Sequence, residues 1–308
     1  MDLKGRDLLS LKDFSAEEIR YLLDESKRLK QSFKTGKRDL PLAGKTLGMI
    51  FQKRSTRTRV STETAMYFLG GHALFLSSSD IQLGAGETIK DTARVLSRMV
   101  HGVLARVYAH SDVEELAKYS SVPVINALSD KYHPLQILAD LLTIEEHKGK
   151  LKGLKLAWIG DGNNVANSLL IGCSKMGISM YVATPKGYEN PSDVVELVRT
   201  FAKESGAEIV ITNDPVEAVT DADIVVTDTF VSMGEESKAQ EKIKAFSNYV
   251  VTSELCSHAK SDYVFMHCLP YKHKEATEEV FESEHSIVFD EAENRLHTVM
   301  AVLKALMG

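Results

Sequence analysis

The chain reads as an α/β protein of two doubly wound domains, each with a central parallel sheet flanked by helices. Short apolar runs of strand length alternate with longer stretches of helical periodicity along the chain, the pattern of parallel strands joined by crossover helices. At 308 residues the chain exceeds the size at which one core usually keeps growing. A charged, glycine-containing stretch, Lys148-Gly149-Lys150-Leu151-Lys152-Gly153, then interrupts the pattern before it restarts. The expected domains are therefore 1–148 and 149–290, with a C-terminal helix over 291–308 completing the first.

In the first half, Ser15 and Glu18 form a capping box for a helix running to Leu29, with Ile19, Leu22, Leu23 and Leu29 on its core face. A strand is expected over 46–51 and a helix over 60–69, joined by Gln52-Lys53-Arg54-Ser55-Thr56-Arg57-Thr58-Arg59. A helix N-terminus leaves backbone N–H groups without partners and carries positive partial charge. Ser55, Thr56 and Thr58 add hydroxyls, and Arg57 adds a rigid fork suited to phosphate oxygens. A solvated basic turn is the plainer reading of such a cluster. Its place at the carboxyl end of a strand, where open α/β sheets bind ligands, favours an anion site.

Gly70-Gly71 ends that helix, and 73–76 reads as a short buried strand. The polar loop that follows, 77–87, contains Gln82 and is longer than a minimal connection. A helix over 87–99 leads to a strand over 102–108 carrying Arg106, a costly residue there unless an anion or carboxylate meets it. After a strand at 122–126, Tyr132-His133-Pro134-Leu135-Gln136 opens a helix, with proline at the first helical position and His133 and Gln136 around its start.

In the second half, strands at 155–159, 179–183, 208–212 and 224–227 alternate with helices. Gly160-Asp161-Gly162-Asn163-Asn164 suggests a dinucleotide turn, but Val165 takes the third-glycine position and no acid ends the second strand. A small polar ligand at Asn163 or Asn164 suits the motif better. Asp228, ahead of Thr229-Phe230-Val231-Ser232-Met233-Gly234, either caps a loop or meets an ammonium group. A strand over 263–266 ends on His267-Cys268-Leu269-Pro270. There Cys268 is either a small buried hydrophobe or, beside an acid and a cationic ligand, a proton handler. Glu291 to His297 opens a last helix with Leu296, Val299, Met300, Leu303 and Leu306 on one face.

Composition limits the partners. A net charge of −6 argues against nucleic acid or an acidic membrane surface, so any anion site is local. Cys173, Cys256 and Cys268 are too scattered for a disulfide framework or a metal site. Neither an apolar signal core after Met1 nor a membrane-spanning run is legible, which leads us to expect a soluble, cytoplasmic protein.

Taken in order, Ser-Thr-Arg-Thr at 55–58, the Gln82 loop, the Arg106 strand, His-Pro-Leu-Gln at 133–136, Gly-Asp-Gly-Asn-Asn at 160–164, Asp-x-x-x-Ser-Met-Gly at 228–234, His-Cys-Leu-Pro at 267–270 and Glu-Asn-Arg at 293–295 resemble the motifs of the aspartate/ornithine carbamoyltransferase family. The resemblance covers essentially the whole chain, and Ser-Met-Gly together with His-Cys-Leu-Pro is similar to its ornithine-using branch. It implies transfer of the carbamoyl group of carbamoyl phosphate to the side-chain amine of L-ornithine, giving L-citrulline and phosphate in arginine metabolism. By resemblance, Ser55, Thr56, Arg57, Thr58, Gln82, Arg106, His133, Pro134, Leu135, Gln136, Cys268, Leu269 and Arg295 bind carbamoyl phosphate. Asn164, Asp228, Ser232 and Met233 bind ornithine, while Arg57, Arg106, His133, Asp228 and Cys268 take part in the chemistry. Two roles remain for Cys268, proton acceptor or orienter of the amine.

The resemblance also implies a homotrimer or an assembly of trimers. No metal and no cofactor are expected, since phosphate is a competent leaving group and arginine supplies the compensating charge. Three departures from the common family pattern stand out: Ala85 for an arginine, Thr62 for a phenylalanine, and Tyr271-Lys272-His273 for Ala-His-Arg. Putrescine and an acetylated ornithine are the neighbouring substrates, and a non-catalytic phosphate- or amino-acid-binding protein is the alternative from another class.

Overall fold

The computed structural model describes residues 1–79, 81, 86–231, 237 and 239–308. Contacts divide the chain into two units, Met1–Leu142 with Glu293–Gly308, and Thr143–Ala292. The expected α/β class, with a parallel sheet in each unit, is what forms.

The first unit starts with a 3-10 turn, Leu11–Asp13, and α1, Ala16–Thr35. The Ser15–Glu18 capping box forms, and Ile19, Leu22, Leu23 and Leu29 are buried. There follow β1 (Thr46–Phe51), α2 (Thr56–Phe68), β2 (His72–Ser77), α3 (Ile89–Leu96), β3 (Gly102–Arg106), α4 (His110–Tyr119), β4 (Val124–Leu128) and α5 (Pro134–Lys148). The sheet order is β2-β1-β3-β4, all parallel. From β1 the chain turns first to one side and later to the other, so the topological switch point lies between β1 and β3. Phe51 and Arg106, the last residues of those strands, are paired in register.

Helix α2 begins at Thr56, four residues ahead of the expected start. Ser55 is its N-cap, with extended backbone and a side chain that accepts from Thr58 N–H at 3.2 Å. Thr56, Arg57 and Thr58 are thereby its first three residues rather than part of a preceding loop. Strand β4 begins two residues later than expected, because Pro123 has no N–H for the ladder, and Asp7 Oδ1 accepts from Val124 N–H at 2.8 Å.

The second unit contains β5 (Lys155–Ile159), α6 (Asn164–Met176), β6 (Ser179–Ala183), α7 (Ser192–Ser205), β7 (Ile209–Thr212), α8 (Pro215–Val219), β8 (Ile224–Thr227), α9 (Ala239–Ala245), α10 (Ser253–Cys256), β9 (Val264–His267) and α11 (Glu278–Phe281). The last helix, α12, spans Val288–Met307 and begins before the expected Glu291. The order is β7-β6-β5-β8-β9, again parallel, with the switch point between β5 and β8. Fully buried Trp158, Phe246 and Phe265 anchor this unit. The glycines after β5 serve packing: a Cβ on Gly162 would lie 2.5 Å from Asn190 N, and Gly162 N–H donates to Tyr188 O at 2.9 Å. No helix among the described residues is long and apolar enough to cross a membrane.

Candidate active site

In the first unit, cationic groups gather at the carboxyl ends of β1 and β3. Arg106 ends β3 with only 5% exposure, and its carbonyl accepts from Gln52 N–H at 2.8 Å. Gln52 joins the strand ends further: its Oε1 accepts from Tyr108 N–H at 2.7 Å and its Nε2 donates to Asp112 at 3.2 Å. Arg295, carried by α12, is also buried. Its Nη1 donates to Gln136 Oε1 at 2.6 Å and its Nη2 to Thr58 Oγ1 at 3.2 Å, which ties the N-termini of α5 and α2 to one guanidinium. Gln136 in turn donates from Nε2 to Asp140 Oδ1 at 2.8 Å.

His133 caps α5, its carbonyl accepting from Gln136 N–H at 3.1 Å. Burial, followed by the positive charges of Arg295, Arg106 and Arg57, holds its imidazole well below the ordinary histidine range. At neutral pH it is an uncharged ring among cations, able to donate an N–H to a developing oxyanion without adding repulsion. Thr58 is fully buried, and its hydroxyl oxygen accepts from Arg295. Ser55 uses an oxygen lone pair for the cap and keeps its O–H as a donor. Thr56 is exposed, Arg57 half-buried, and Pro134 and Leu135 are buried.

In the second unit, parallel register sets the geometry. Thr227 pairs with His267, so the next residues, Asp228 and Cys268, emerge side by side from β8 and β9. Cys268 Sγ donates to Asp228 Oδ1 at 3.1 Å. Thr229 N–H donates to the same oxygen at 2.7 Å, while Asn163 Nδ2 donates to Oδ2 at 2.9 Å from across the switch point. Asn163 is also the N-cap of α6, its Oδ1 accepting from Val165 and Ala166 N–H at 2.9 and 3.0 Å. Asn164 is the first residue of that helix and half-buried. Leu269 has a left-handed backbone, φ 58°, which turns the chain sharply after Cys268.

The expected residues thus form two sets, each within its own unit. Gln82, Ser232, Met233 and Ala85 lie outside the described residues. Several supporting residues escaped the sequence reading: Gln52 at the β1–β3 ends, Asn163 as holder of Asp228, and Lys242. Lys242 Nζ donates to Asp161 Oδ2 at 2.6 Å, and the two side chains are only 5% and 12% exposed. Asp161 O also accepts from Trp158 Nε1 at 3.0 Å, which pins the turn carrying Asn163. The acid in Gly-Asp-Gly was a legible signal for a partner, but nothing local pointed to a lysine on α9.

A parallel α/β protein with a cationic cluster at one switch point and an acid-thiol pair beside another has the parts of a group-transfer enzyme that handles an anionic donor. Residues 6–146 match the family profile described as aspartate/ornithine carbamoyltransferase, carbamoyl-P binding domain, and 152–306 match its Asp/Orn binding domain. The chain belongs to the aspartate/ornithine carbamoyltransferase family. It is 55% identical over 306 residues to a protein of Carboxydothermus hydrogenoformans named ornithine carbamoyltransferase, covering 99% of this chain and 98% of that one. It is 54% identical over 309 residues to "Ornithine carbamoyltransferase, anabolic" of Pyrococcus furiosus, with 100% and 98% covered. A solved structure of ornithine carbamoyltransferase from Pyrococcus furiosus superposes with TM-score 0.97 at 54% identity, covering 100% of this chain and 99% of that one.

The Lys242–Asp161 pair generates a test of how the second set is supported. Removing one partner of a buried ion pair strands the other charge, so Asp161→Asn is expected to lower unfolding free energy by about 3 kcal/mol. Adding Lys242→Met should recover part of that loss. Urea denaturation of the single and double variants measures both, and purely additive losses would mean the pair is not coupled.

Proposed function

We propose that the protein is an ornithine carbamoyltransferase: it joins the carbamoyl group of carbamoyl phosphate to the side-chain amine of L-ornithine, releasing L-citrulline and phosphate. The observation that carries this reading is the gathering of buried Arg106, His133 and Arg295, with Arg295 bonded to Gln136 and Thr58 at the N-termini of α5 and α2. The family profiles and the full-length relatives support it from outside the geometry. Carbamoyl phosphate is assigned to 1–148 with 291–308, and ornithine to 149–290.

As the amine attacks, negative charge grows on the carbonyl oxygen and on the departing phosphate. Donors already aimed there stabilise the transition state more than the substrate. Ser55, Thr56, Arg57, Thr58 and Arg106 take the phosphate, with Gln82 also in the carbamoyl-phosphate site, while His133, Gln136, Cys268, Leu269 and Arg295 contact the carbamoyl group and Pro134 and Leu135 complete that site. Asn164, Asp228, Ser232 and Met233 hold ornithine. A primary amine of this kind is protonated at neutral pH, with a reference pKa of about 10.4, and must lose a proton to attack. In the described contact Cys268 is the donor and Asp228 the acceptor, which favours Asp228 as the group that meets the ammonium and Cys268 as the one that orients it.

The same reading takes the enzyme to be a cytoplasmic homotrimer, or an assembly of trimers, using neither metal nor cofactor. The relative named anabolic favours a place in arginine biosynthesis.

Citrulline formation from carbamoyl phosphate, with ornithine, putrescine, acetylornithine and aspartate compared as acceptors, is the direct test, and selective use of ornithine is expected. Preference for another amine moves the substrate assignment. Binding of carbamoyl phosphate without turnover of any acceptor would instead favour a non-catalytic binding protein. Arg57→Ala is expected to lower turnover with ornithine at least about a hundredfold, the scale for losing one transition-state donor. Steady-state kinetics near those of the wild type would remove Arg57 from the mechanism.

A further inference from the structure

The Tyr271-Lys272-His273 segment lies on a turn held by ring stacking and by a buried carboxylate. Tyr271 stacks on Phe281 with ring centroids 4.1 Å apart and planes 9° from parallel, and its hydroxyl donates to Ala276 O at 2.9 Å. Glu275, fully buried, accepts at Oε1 from Lys272 N–H at 2.9 Å and at Oε2 from Lys274 N–H at 3.1 Å. The same Oε1 lies 2.9 Å from Nε2 of fully buried His267. His267 Nδ1 accepts from Leu269 N–H at 2.9 Å, so the ring's proton on Nε2 faces Glu275. One carboxylate therefore fixes both the backbone just after Cys268 and the backbone of Lys272.

From this fixed base the Lys272 side chain reaches the other strand end. Its Nζ donates at 3.0 Å to the carbonyl of Val231, which also accepts from Thr229 Oγ1 at 3.2 Å. Val231 is three residues after Asp228 and immediately precedes Ser232. The contact thus joins the turn after β9 to the loop after β8, as the Cys268–Asp228 bond does closer to the strand ends.

We infer that Lys272 is a positioning residue for the amine substrate: it sets the spacing between the Cys268–Leu269 turn and Val231, in the loop that follows Asp228. This rests on the assignment of ornithine's amine to Asp228. Lysine is suited to the task, because its ammonium on a flexible stem donates to one carbonyl without needing a planar partner. An isolated exposed lysine would contribute little. Here its backbone is anchored through a buried carboxylate and its acceptor carbonyl is already oriented by Thr229.

The test is steady-state kinetics of Lys272→Met and Lys272→Arg with each substrate varied in turn, alongside thermal unfolding. Lys272→Met should raise the KM for ornithine about five- to tenfold, leave that for carbamoyl phosphate within about twofold, and leave the unfolding midpoint unchanged. Lys272→Arg, which retains a donor, should restore most of the ornithine affinity. If the wild type turns over ornithine and Lys272→Met has an unchanged ornithine KM, the inference fails while the proposed function stands. Equal losses for both substrates with a lowered midpoint reduce Lys272 to a structural role and likewise overturn it. A wild type that makes no citrulline from ornithine overturns the proposed function, and this inference with it.

Discussion

Positive charge taken out of water is the constraint on which the first unit depends. Arg106 and Arg295 are almost wholly buried, and a guanidinium cannot shed its proton to escape the cost. The surroundings must supply acceptors instead. Gln136 and Thr58 turn their oxygens towards Arg295, and Asp140 receives the amide of Gln136. His133 stays neutral because burial, and after it the charges of Arg295, Arg106 and Arg57, disfavour its protonation. What remains is a pocket whose electrostatic complement is an anion. Helix α2 adds its N-terminus to that field, which explains why the helix must begin at Thr56 beside the strand end rather than further on.

In the second unit, a carboxylate has the corresponding role. Asp228 stands where three strand ends come together, and it collects donors from Asn163 after β5, from Thr229 in its own loop and from Cys268 after β9. Each donor is placed by backbone order rather than by side-chain flexibility. Parallel register puts Cys268 next to Asp228, and the N-cap of α6 orients Asn163. Such preorganisation matters for catalysis because groups already oriented need not reorganise as charge shifts. Lys242–Asp161 and His267–Glu275 are the supports behind it.

Much of this was legible in the residues themselves. Alternating strand and helix patterns gave the parallel sheets, and the Ser15–Glu18 capping box was readable from spacing alone. Ser55 through Thr58 announced an anion site through their chemistry, but the start of α2 was misplaced because hydroxyl and basic residues at a helix start look like loop until the cap is seen. Arg106 was visible as an anomaly in an apolar strand, whereas its gathering with Arg295, nearly two hundred residues away in sequence, is a product of topology. Asn163 and Asn164 could not be separated by spacing; the cap geometry makes Asn163 the holder of Asp228. Lys242 and Gln52 carry no local signal at all, since each acts through partners that only the fold brings near.

Burial, reinforced by the neighbouring guanidinium charges, keeps His133 neutral in a cluster suited to an anion, and the imidazole itself can report on it. Nitrogen-15 NMR of the histidine rings, titrated with and without inorganic phosphate, measures this most directly. The account predicts that His133 remains uncharged to well below its ordinary titration range in the free protein. It also predicts that phosphate raises the pKa of His133, because a bound anion offsets the cations that depress it. A His133 that titrates near 6.5 in the folded free protein and does not respond to phosphate would contradict the account.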